Sequence, residues 1–217
     1  MHKIFATAAS TFVALLIMTG AVSAASTQQT GSIDPRVAYT PVGKPSTIPI
    51  GWKLFCTDRP EECVPSGEAS QSVKLDPYSW HQLVTINALV NSNIEGVADT
   101  EHYGIAKLGL PNWWTYPDDG KGNCNDYVLL KRRLLIEAGW PKTALLMTVV
   151  LDHEGEGHLI LTVKTSAGDL ILDNLNAEIV RWYETGYTFL KRQSPTNPNV
   201  WLAIDNRQYV ASSSGIK

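Results

Sequence analysis

Three side chains in the second half of the sequence have the chemistry to attack a carbonyl carbon together. Cys124 begins the amphipathic stretch CNDYVLLKRRLLIEA, directly after the glycine-containing segment GKGN. In the first turn of a helix, the macrodipole and the free amide groups favour a thiolate. The amide of Cys124 itself is one of those free donors and could help to hold an oxyanion. A nucleophilic thiol also needs a base, and the base needs a group that orients it.

His158 and Asp173 are the best candidates for the base and its orienting group. His158 opens the apolar stretch HLILTVK after a glycine turn, where a side chain can project from the end of a sheet. Asp173 lies inside the apolar segment LILDNL, where a carboxylate is costly to bury without a partner. Taken alone, His158 and Asp173 are each explained more simply as turn residues. Together with an unpaired cysteine, they predict a Cys-His-Asp site.

The expected hairpin between these two residues does not align them directly. If the chain turned about Ala167, His158 would lie opposite a residue near position 176, about three residues from Asp173. A bulge or a shifted turn is therefore needed to bring the two side chains together.

The cysteine count leaves one thiol over. Cys56 and Cys63 lie seven residues apart in LFCTDRPEECVP, and in an oxidising compartment a disulfide can close this loop. A metal site is the alternative for the pair, but no nearby cysteine or histidine completes a tetrahedral set. The run HEGEGH also lacks a metalloprotease spacing, because His153 and His158 are five residues apart and glycines interrupt any helix.

The first 24 residues have the pattern of a secretory signal peptide. Lys3 precedes an apolar run over residues 4–18, and Val22 and Ala24 suit the positions before a cleavage site. A membrane anchor is the alternative, but the run is shorter than the roughly 20 residues that span a bilayer. We therefore expect an exported, periplasmic protein that is cleaved after about Ala24, with no membrane span in the mature chain.

The mature chain has the size of one domain and a mildly acidic surface. Without Lys3 it carries 17 basic and 21 acidic residues, a net charge of −4, which does not favour binding to nucleic acid. The basic triplet at 131–133 is expected to be the solvated face of a helix. We assign residues 25–50 to an extended N-terminal arm, 51–211 to the catalytic domain and 212–217 to a flexible tail.

The hydrophobic periodicity predicts helices first and then an antiparallel sheet, which is an α+β fold. Helices are expected over 76–95, capped by Asp76, and over 124–138, capped by Asn123. Between them, Trp113 and Trp114 lie in a loop rich in glycine, proline and aromatics, where they would either line a substrate groove or cover the core. The expected strands are ALLMTVVLDH, HLILTVK, DLILDNL, IVRWYETGYTFLKRQ and NVWLAID.

Three ordered motifs, GNCNDYVLLKRRLLIEAGWP, GHLILTV and GDLILDNL, resemble the bacterial transglutaminase-like cysteine proteinase family. The resemblance runs from about Leu75 to Ile204. It implies a papain-like fold of the transglutaminase type, with the nucleophile helix packed on an antiparallel sheet and a triad of Cys124, His158 and Asp173. It also implies a periplasmic endopeptidase that cleaves a protein substrate such as a surface adhesin, under an inhibitory membrane receptor that senses a cyclic dinucleotide.

Two positions of the motif depart from the calcium-dependent relatives, which carry acidic residues on both sides of the cysteine in the pattern D-C-E-D. Here the flanking residues are Asn123 and Asn125, and only Asp126 is acidic. Calcium gains affinity from carboxylate charge, so these three residues make a weak site. We therefore expect an activity that needs neither calcium nor another cofactor.

Two other functions are compatible with the same residues. The acyl-enzyme could pass its acyl group to an amine instead of water, which would make the protein a protein amide or acyl transferase. A catalytically silent binding module of the same fold is the third hypothesis, and the intact set of Cys124, His158 and Asp173 argues against it.

Overall fold

A computed structural model gives the fold, and it describes residues 38–104 and 112–205, all of which belong to one compact unit. Helices come mainly before the strands of one large sheet, which confirms the expected α+β class. The helices are α1 (Ile50–Asp58), α2 (Pro77–Asn93), α3 (Asp99–His102) and α4 (Cys124–Glu137), with 3-10 turns at Pro60–Cys63, Lys142–Ala144 and Trp182–Glu184. The strands are β1 (Val42–Ser46), β2 (Glu95–Gly96), β3 (Lys121–Gly122), β4 (Leu145–Leu151), β5 (Gly157–Thr165), β6 (Gly168–Leu172), β7 (Val180–Arg181), β8 (Thr188–Gln193) and β9 (Trp201–Ile204).

The large sheet has seven strands in the order β1-β9-β8-β4-β5-β6-β7, and every neighbouring pair is antiparallel. Strands β4 and β5 lie at its centre and are almost completely buried. Helix α4 packs against β5 on one side and against α2 on the other. The expected packing of the nucleophile helix on an antiparallel sheet is therefore confirmed.

Both long helices begin where their capping residues predict. The Asp76 carboxylate accepts hydrogen bonds from the backbone amides of Tyr78 and Ser79, so α2 starts at Pro77. At α4, the Asn123 side chain accepts from the amide of Asn125 at 3.0 Å, and the chain leaves the helix at Gly139 with φ of 92°. These side chains satisfy amide groups that have no partner inside the helix.

One core joins the helices to the sheet. Its members are apolar side chains from α1, α2, α4 and the central strands, together with tryptophans from the loops. The buried residues of this core are Trp52, Phe55, Cys63, Leu83, Trp114, Tyr116, Val128, Leu129, Leu135, Trp140, Leu145, Met147, Leu159, Leu161, Val163, Leu170, Leu172 and Trp201. A smaller cluster around Ile160, Ile171 and Phe189 packs separately.

Part of the predicted N-terminal arm belongs to the sheet. Residues 42–46 form the edge strand β1 on β9, and α1 begins at Ile50. The sequence of β1 contains a glycine and a proline, which hide its strand character, but an edge strand tolerates proline. The predicted signal peptide, the beginning of the arm and the tail at 212–217 lie outside the described residues.

The disulfide between Cys56 and Cys63 is present, with the two Cα atoms 5.7 Å apart. It joins the last turn of α1 to the following 3-10 turn. The side chain of Asn199 donates to the carbonyl of Cys63 at 2.9 Å and accepts from the indole of Trp52 at 3.2 Å. The disulfide loop and α1 are thus tied to the connection between β8 and β9.

The basic triplet is not a solvated face, and this expectation was wrong. Lys131 is fully buried, and Arg132 is 4 % exposed. Arg132 donates through Nε to the carbonyl of Leu145 and lies 3.8 Å from the carboxylate of Glu62, so its charge is compensated inside the protein. The long apolar stems of these side chains allow them to pack in the core.

The segment IVRWYETGYTFLKRQ is not one strand. It contains β7, a 3-10 turn and β8, and Gly186 between them has φ of 71°, a conformation that glycine adopts without strain. None of the helices in the described parts of the chain is long and apolar enough to cross a membrane.

Candidate active site

A cavity of about 220 Å³ opens beside the start of α4 and the beginning of β5. Two of the three predicted catalytic residues, Cys124 and His158, line it. The remaining lining comes from the start of α1, the loop before α4 and the central strands. The lining residues are Pro49, Ile50, Gly51, Asn112, Trp114, Cys124, Asn125, Val149, Gly157, His158, Leu159 and Lys191.

Cys124 occupies the first turn of α4, and its thiol is free and half-buried. The other two cysteines form the disulfide, as the cysteine count predicted. The neighbouring Asn125 is 3 % exposed, and its Oδ1 lies 3.9 Å from the sulfur of Cys124. The thiol therefore faces the cavity at the helix N-terminus.

His158 and Asp173 form a buried pair. The imidazole Nε2 lies 2.7 Å from Oδ1 of Asp173, and the two residues are 5 % and 3 % exposed. Because Nε2 is occupied, Nδ1 is the ring nitrogen that is left for the thiol. The structure thus brings together the base and the orienting carboxylate that the sequence analysis selected.

A shifted turn, and no bulge, aligns these two residues. The pairing of Thr165 with Gly168 leaves a two-residue turn, and Leu161 pairs with Leu172. Asp173 therefore lies beside Ile160, one position past the last pair. His158 is two residues from Ile160 on the same side of the strand, so it is a diagonal neighbour of Asp173.

The carboxylate of Asp173 has two further hydrogen-bond donors. The amide of Leu175 donates to Oδ1 at 3.1 Å, and the hydroxyl of Tyr187 donates to Oδ2 at 2.7 Å. Asn91 of α2 holds the backbone by donating to the carbonyl of Asp173 at 2.8 Å. Sequence reasoning missed Tyr187, because nothing in the segment ETGYTF signals a partner fourteen residues upstream.

The pair is held as an imidazolium and a carboxylate. Burial alone lowers the pKa of His158, but hydrogen bonding with Asp173 and with Cys124, together with their charges, raises it to about 9. Burial raises the pKa of Asp173, but the hydrogen bonds and the charge of His158 hold it below its usual value. Burial and the nearby Asp173 raise the pKa of Tyr187, which keeps its hydroxyl proton available for donation.

The three calcium candidates are committed to other partners. Both carboxylate oxygens of Asp126 accept backbone amides, from Thr115 at 2.9 Å and from Asn123 at 3.0 Å. The Oδ1 of Asn123 caps α4 and also accepts from the side chain of Asn125 at 2.9 Å. Within residues 38–104 and 112–205, no group of three or more histidine, cysteine or acidic side chains has the geometry of a metal site. The hydrogen bonds of Asn123, Asn125 and Asp126 are thus made within the protein.

Asp126 stabilises the contact between the loop before α4 and the start of that helix. It is fully buried, and burial, with the charges of Asp99 and Asp119 adding to it, raises its pKa to about 7. Its two accepted hydrogen bonds connect the loop before α4 to the start of that helix.

The two tryptophans of the loop differ. Trp114 lines the cavity and also packs in the core, with its ring centroid 6.2 Å from that of Trp52. Trp113 is half-buried and is not among the residues that line the cavity. Of the two tryptophans, only Trp114 is among the described residues that line the cavity.

The start of α1 was not expected to contribute to the site. Gly51 approaches Trp114 so closely that a Cβ atom built on it would lie 2.2 Å from the indole ring. Only glycine fits there without movement of the ring, so α1 and Trp114 form one wall of the cavity. No sequence pattern connects residues that are 63 positions apart in this way.

Comparison with known proteins identifies the family. Residues 42–209 match the family described as bacterial transglutaminase-like cysteine proteinase. Similar solved structures include calcium-bound LapG of Legionella pneumophila, with 23 % identity, a TM-score of 0.48 and coverage of 60 % of this chain and 71 % of that one. A second structure of LapG from the same organism has the same identity and TM-score, and the match covers 65 % of this chain and 78 % of that one.

No curated protein matches the sequence. The family match extends over most of the 217 residues and includes the cysteine-bearing helix and the central strands. The chain belongs to the bacterial transglutaminase-like cysteine proteinase family and is a cysteine peptidase.

Proposed function

We propose that this peptidase is an exported endopeptidase whose catalytic residues are Cys124, His158 and Asp173. The observation that carries the proposal is the buried contact of 2.7 Å between His158 and Asp173, with His158 lining the same cavity as the free thiol of Cys124. A nucleophile, a base and an orienting carboxylate are the groups that acyl transfer through a covalent intermediate requires.

The reaction begins with the proton of Cys124 on Nδ1 of His158, because the raised pKa of His158 keeps the imidazole protonated. The sulfur attacks the peptide carbonyl carbon, and the carbonyl oxygen takes the negative charge of a tetrahedral intermediate. The imidazolium then donates its proton to the amine nitrogen, the C–N bond breaks and a thioester remains. His158, now neutral, next removes a proton from water, and the hydroxide attacks the thioester carbonyl. The C–S bond then breaks, which releases the acid and restores the thiolate beside the imidazolium.

Asp173 fixes the imidazole in this sequence. It holds Nε2, so the proton moves at Nδ1, and its negative charge stabilises the imidazolium in both halves of the cycle. Tyr187 and the amide of Leu175 keep the carboxylate in place.

The proposed substrate is a protein at the bacterial surface. The family resemblance favours a surface adhesin, and the cavity lies open beside the thiol, as cleavage within a chain requires. Control by an inhibitory membrane receptor stays an expectation from the same resemblance.

Export follows from the pattern of residues 1–24, and we propose the periplasm as the site of action. The protein recovered from the periplasmic fraction should begin at Ala25 in N-terminal sequencing. An intact Met1 on active protein from the cytoplasm would contradict this localisation.

Replacement of the nucleophile should abolish proteolysis. We expect Cys124→Ala to lower kcat/KM by at least about 10⁴-fold on a protein substrate, which is the loss typical of removing one member of a triad. His158→Ala should have a similar effect. An unfolding temperature equal to that of the purified, unsubstituted mature protein, which is the control, would show that the variants fold.

The acceptor of the acyl group is decided in the same assay. With an added primary amine, products that keep a free carboxyl group support hydrolysis. Incorporation of the amine in preference to water would assign the protein to the amide transferases instead. Full turnover by Cys124→Ala would refute both versions.

The pH dependence follows from the raised pKa of His158. Protonation of the leaving amine needs the imidazolium, so kcat/KM should fall as the pH rises through about 9. Asp173→Asn removes the interaction that raises this pKa most, and the alkaline limb should move to lower pH by roughly 1–3 units. A limb that stays at the same pH in Asp173→Asn would exclude this role of the carboxylate.

Calcium should not affect turnover, because the oxygens of Asn123 and Asp126 already have protein partners. Treatment with a chelator is expected to leave kcat/KM unchanged. The matched variant Asn123→Asp/Asn125→Glu restores the acidic flanks and tests whether charge alone creates a calcium response. Loss of activity of the natural sequence in chelator, followed by recovery with calcium, would show that this expectation is wrong.

A further inference from the structure

The thioester route places a negative charge on the substrate oxygen, and that charge needs donors near the thiol. The backbone amide of Cys124 is one, because it lies in the first turn of α4 and none of the described residues accepts a hydrogen bond from it. A single amide is a weak oxyanion site, so a second donor must line the same cavity.

The indole of Trp114 is not that donor. Its Nε1 proton already goes to Oδ1 of Asn112 at 3.0 Å. The side-chain nitrogen of Asn125 is also occupied, because it donates to Oδ1 of Asn123 at 2.9 Å and to Oδ1 of Asn112. The N–H groups of both side chains thus already have acceptors within the protein.

These two donors determine the orientation of the Asn112 amide. An indole N–H can only donate, so the atom of Asn112 that faces Trp114 must be the oxygen. The second donor, from Asn125, reaches the same oxygen. The Nδ2 group of Asn112 has no acceptor among the described residues, and Asn112 lines the same cavity as Cys124.

The backbone around Asn112 is held in place. The amide of Trp113 donates to the buried Asp99, and the amide of Thr115 donates to Asp126 at 2.9 Å. Because Asp126 also belongs to the first turn of α4, the loop that carries Asn112 is linked directly to the helix that carries Cys124. Such fixed donors need no reorganisation when charge develops.

We propose that Asn112 is a further catalytic residue, whose Nδ2 group donates a hydrogen bond to the substrate oxygen while the amide of Cys124 donates a second one. Trp114 and Asn125 are positioning residues that orient this amide. The inference rests on the proposed function, since an oxyanion forms only if Cys124 attacks a carbonyl group.

The test compares Asn112→Asp with Asn112→Ala. Asp keeps an oxygen for Trp114 and Asn125 but removes both N–H groups, and Ala removes the group without adding charge. Each variant should lower kcat by about 10²–10³-fold with little change in KM, the loss typical of one oxyanion donor. Binding of a peptide aldehyde, whose adduct with the thiol carries an oxygen at the same place, should weaken in parallel.

A second readout separates this role from activation of the thiol. Alkylation of Cys124 by iodoacetamide generates no oxyanion, so its rate should be the same in Asn112→Ala as in the natural sequence. Trp114→Phe removes one orienting donor and should give a smaller loss of kcat. Thermal unfolding identifies any variant that fails to fold, and the kcat values and alkylation rates are then compared among the variants that do fold.

Two outcomes would overturn the assignment of Asn112. In the first, a folded Asn112→Ala variant keeps its kcat and its affinity for the aldehyde. In the second, alkylation slows as much as catalysis does, which would make Asn112 part of thiol activation. Full proteolysis by Cys124→Ala would instead remove the proposed function, and the oxyanion role would fail with it.

Discussion

The buried contact between His158 and Asp173 is the constraint on which the rest of the site depends. Two charged groups that are 5 % and 3 % exposed would destabilise the fold if either lost its partner. The hydroxyl of Tyr187, the amide of Leu175 and the mutual hydrogen bond therefore satisfy both carboxylate oxygens. Since these donors come from the residue before β8 and from the turn after β6, the environment of the pair depends on the register of the sheet.

The position of the thiol depends on a separate hydrogen-bond network, which is formed by side-chain amides and carboxylates around the start of α4. Asp126 accepts amides from the loop and from the helix cap, and Asn123 accepts from the next turn. These bonds hold the loop against the helix terminus. The buried carboxylate is costly, as its raised pKa shows, and the accepted hydrogen bonds offset part of that cost.

The sequence allowed the local parts of this arrangement to be predicted, and the long-range parts were beyond it. Helices α2 and α4 could be recognised because periodicity and capping side chains act within a few residues. The sequence indicated that His158 pairs with Asp173, but it did not give the strand register that brings them together. A change of one residue in the turn moves a side chain to the other face of a strand. Tyr187, Asn112 and Gly51 left no local signal, because their roles exist only after distant segments meet.

The basic triplet shows why residue type alone misleads at such a site. Lys131 looks like a surface residue in the sequence, yet it is fully buried on α4, and its Nζ has no hydrogen-bond partner among the described residues. Burial lowers its pKa to about 7, and the charge of Asp173 acts in the opposite direction. The carboxylate of Asp173 therefore acts electrostatically on Lys131 as well as on His158, although Lys131 is not among the residues that line the cavity.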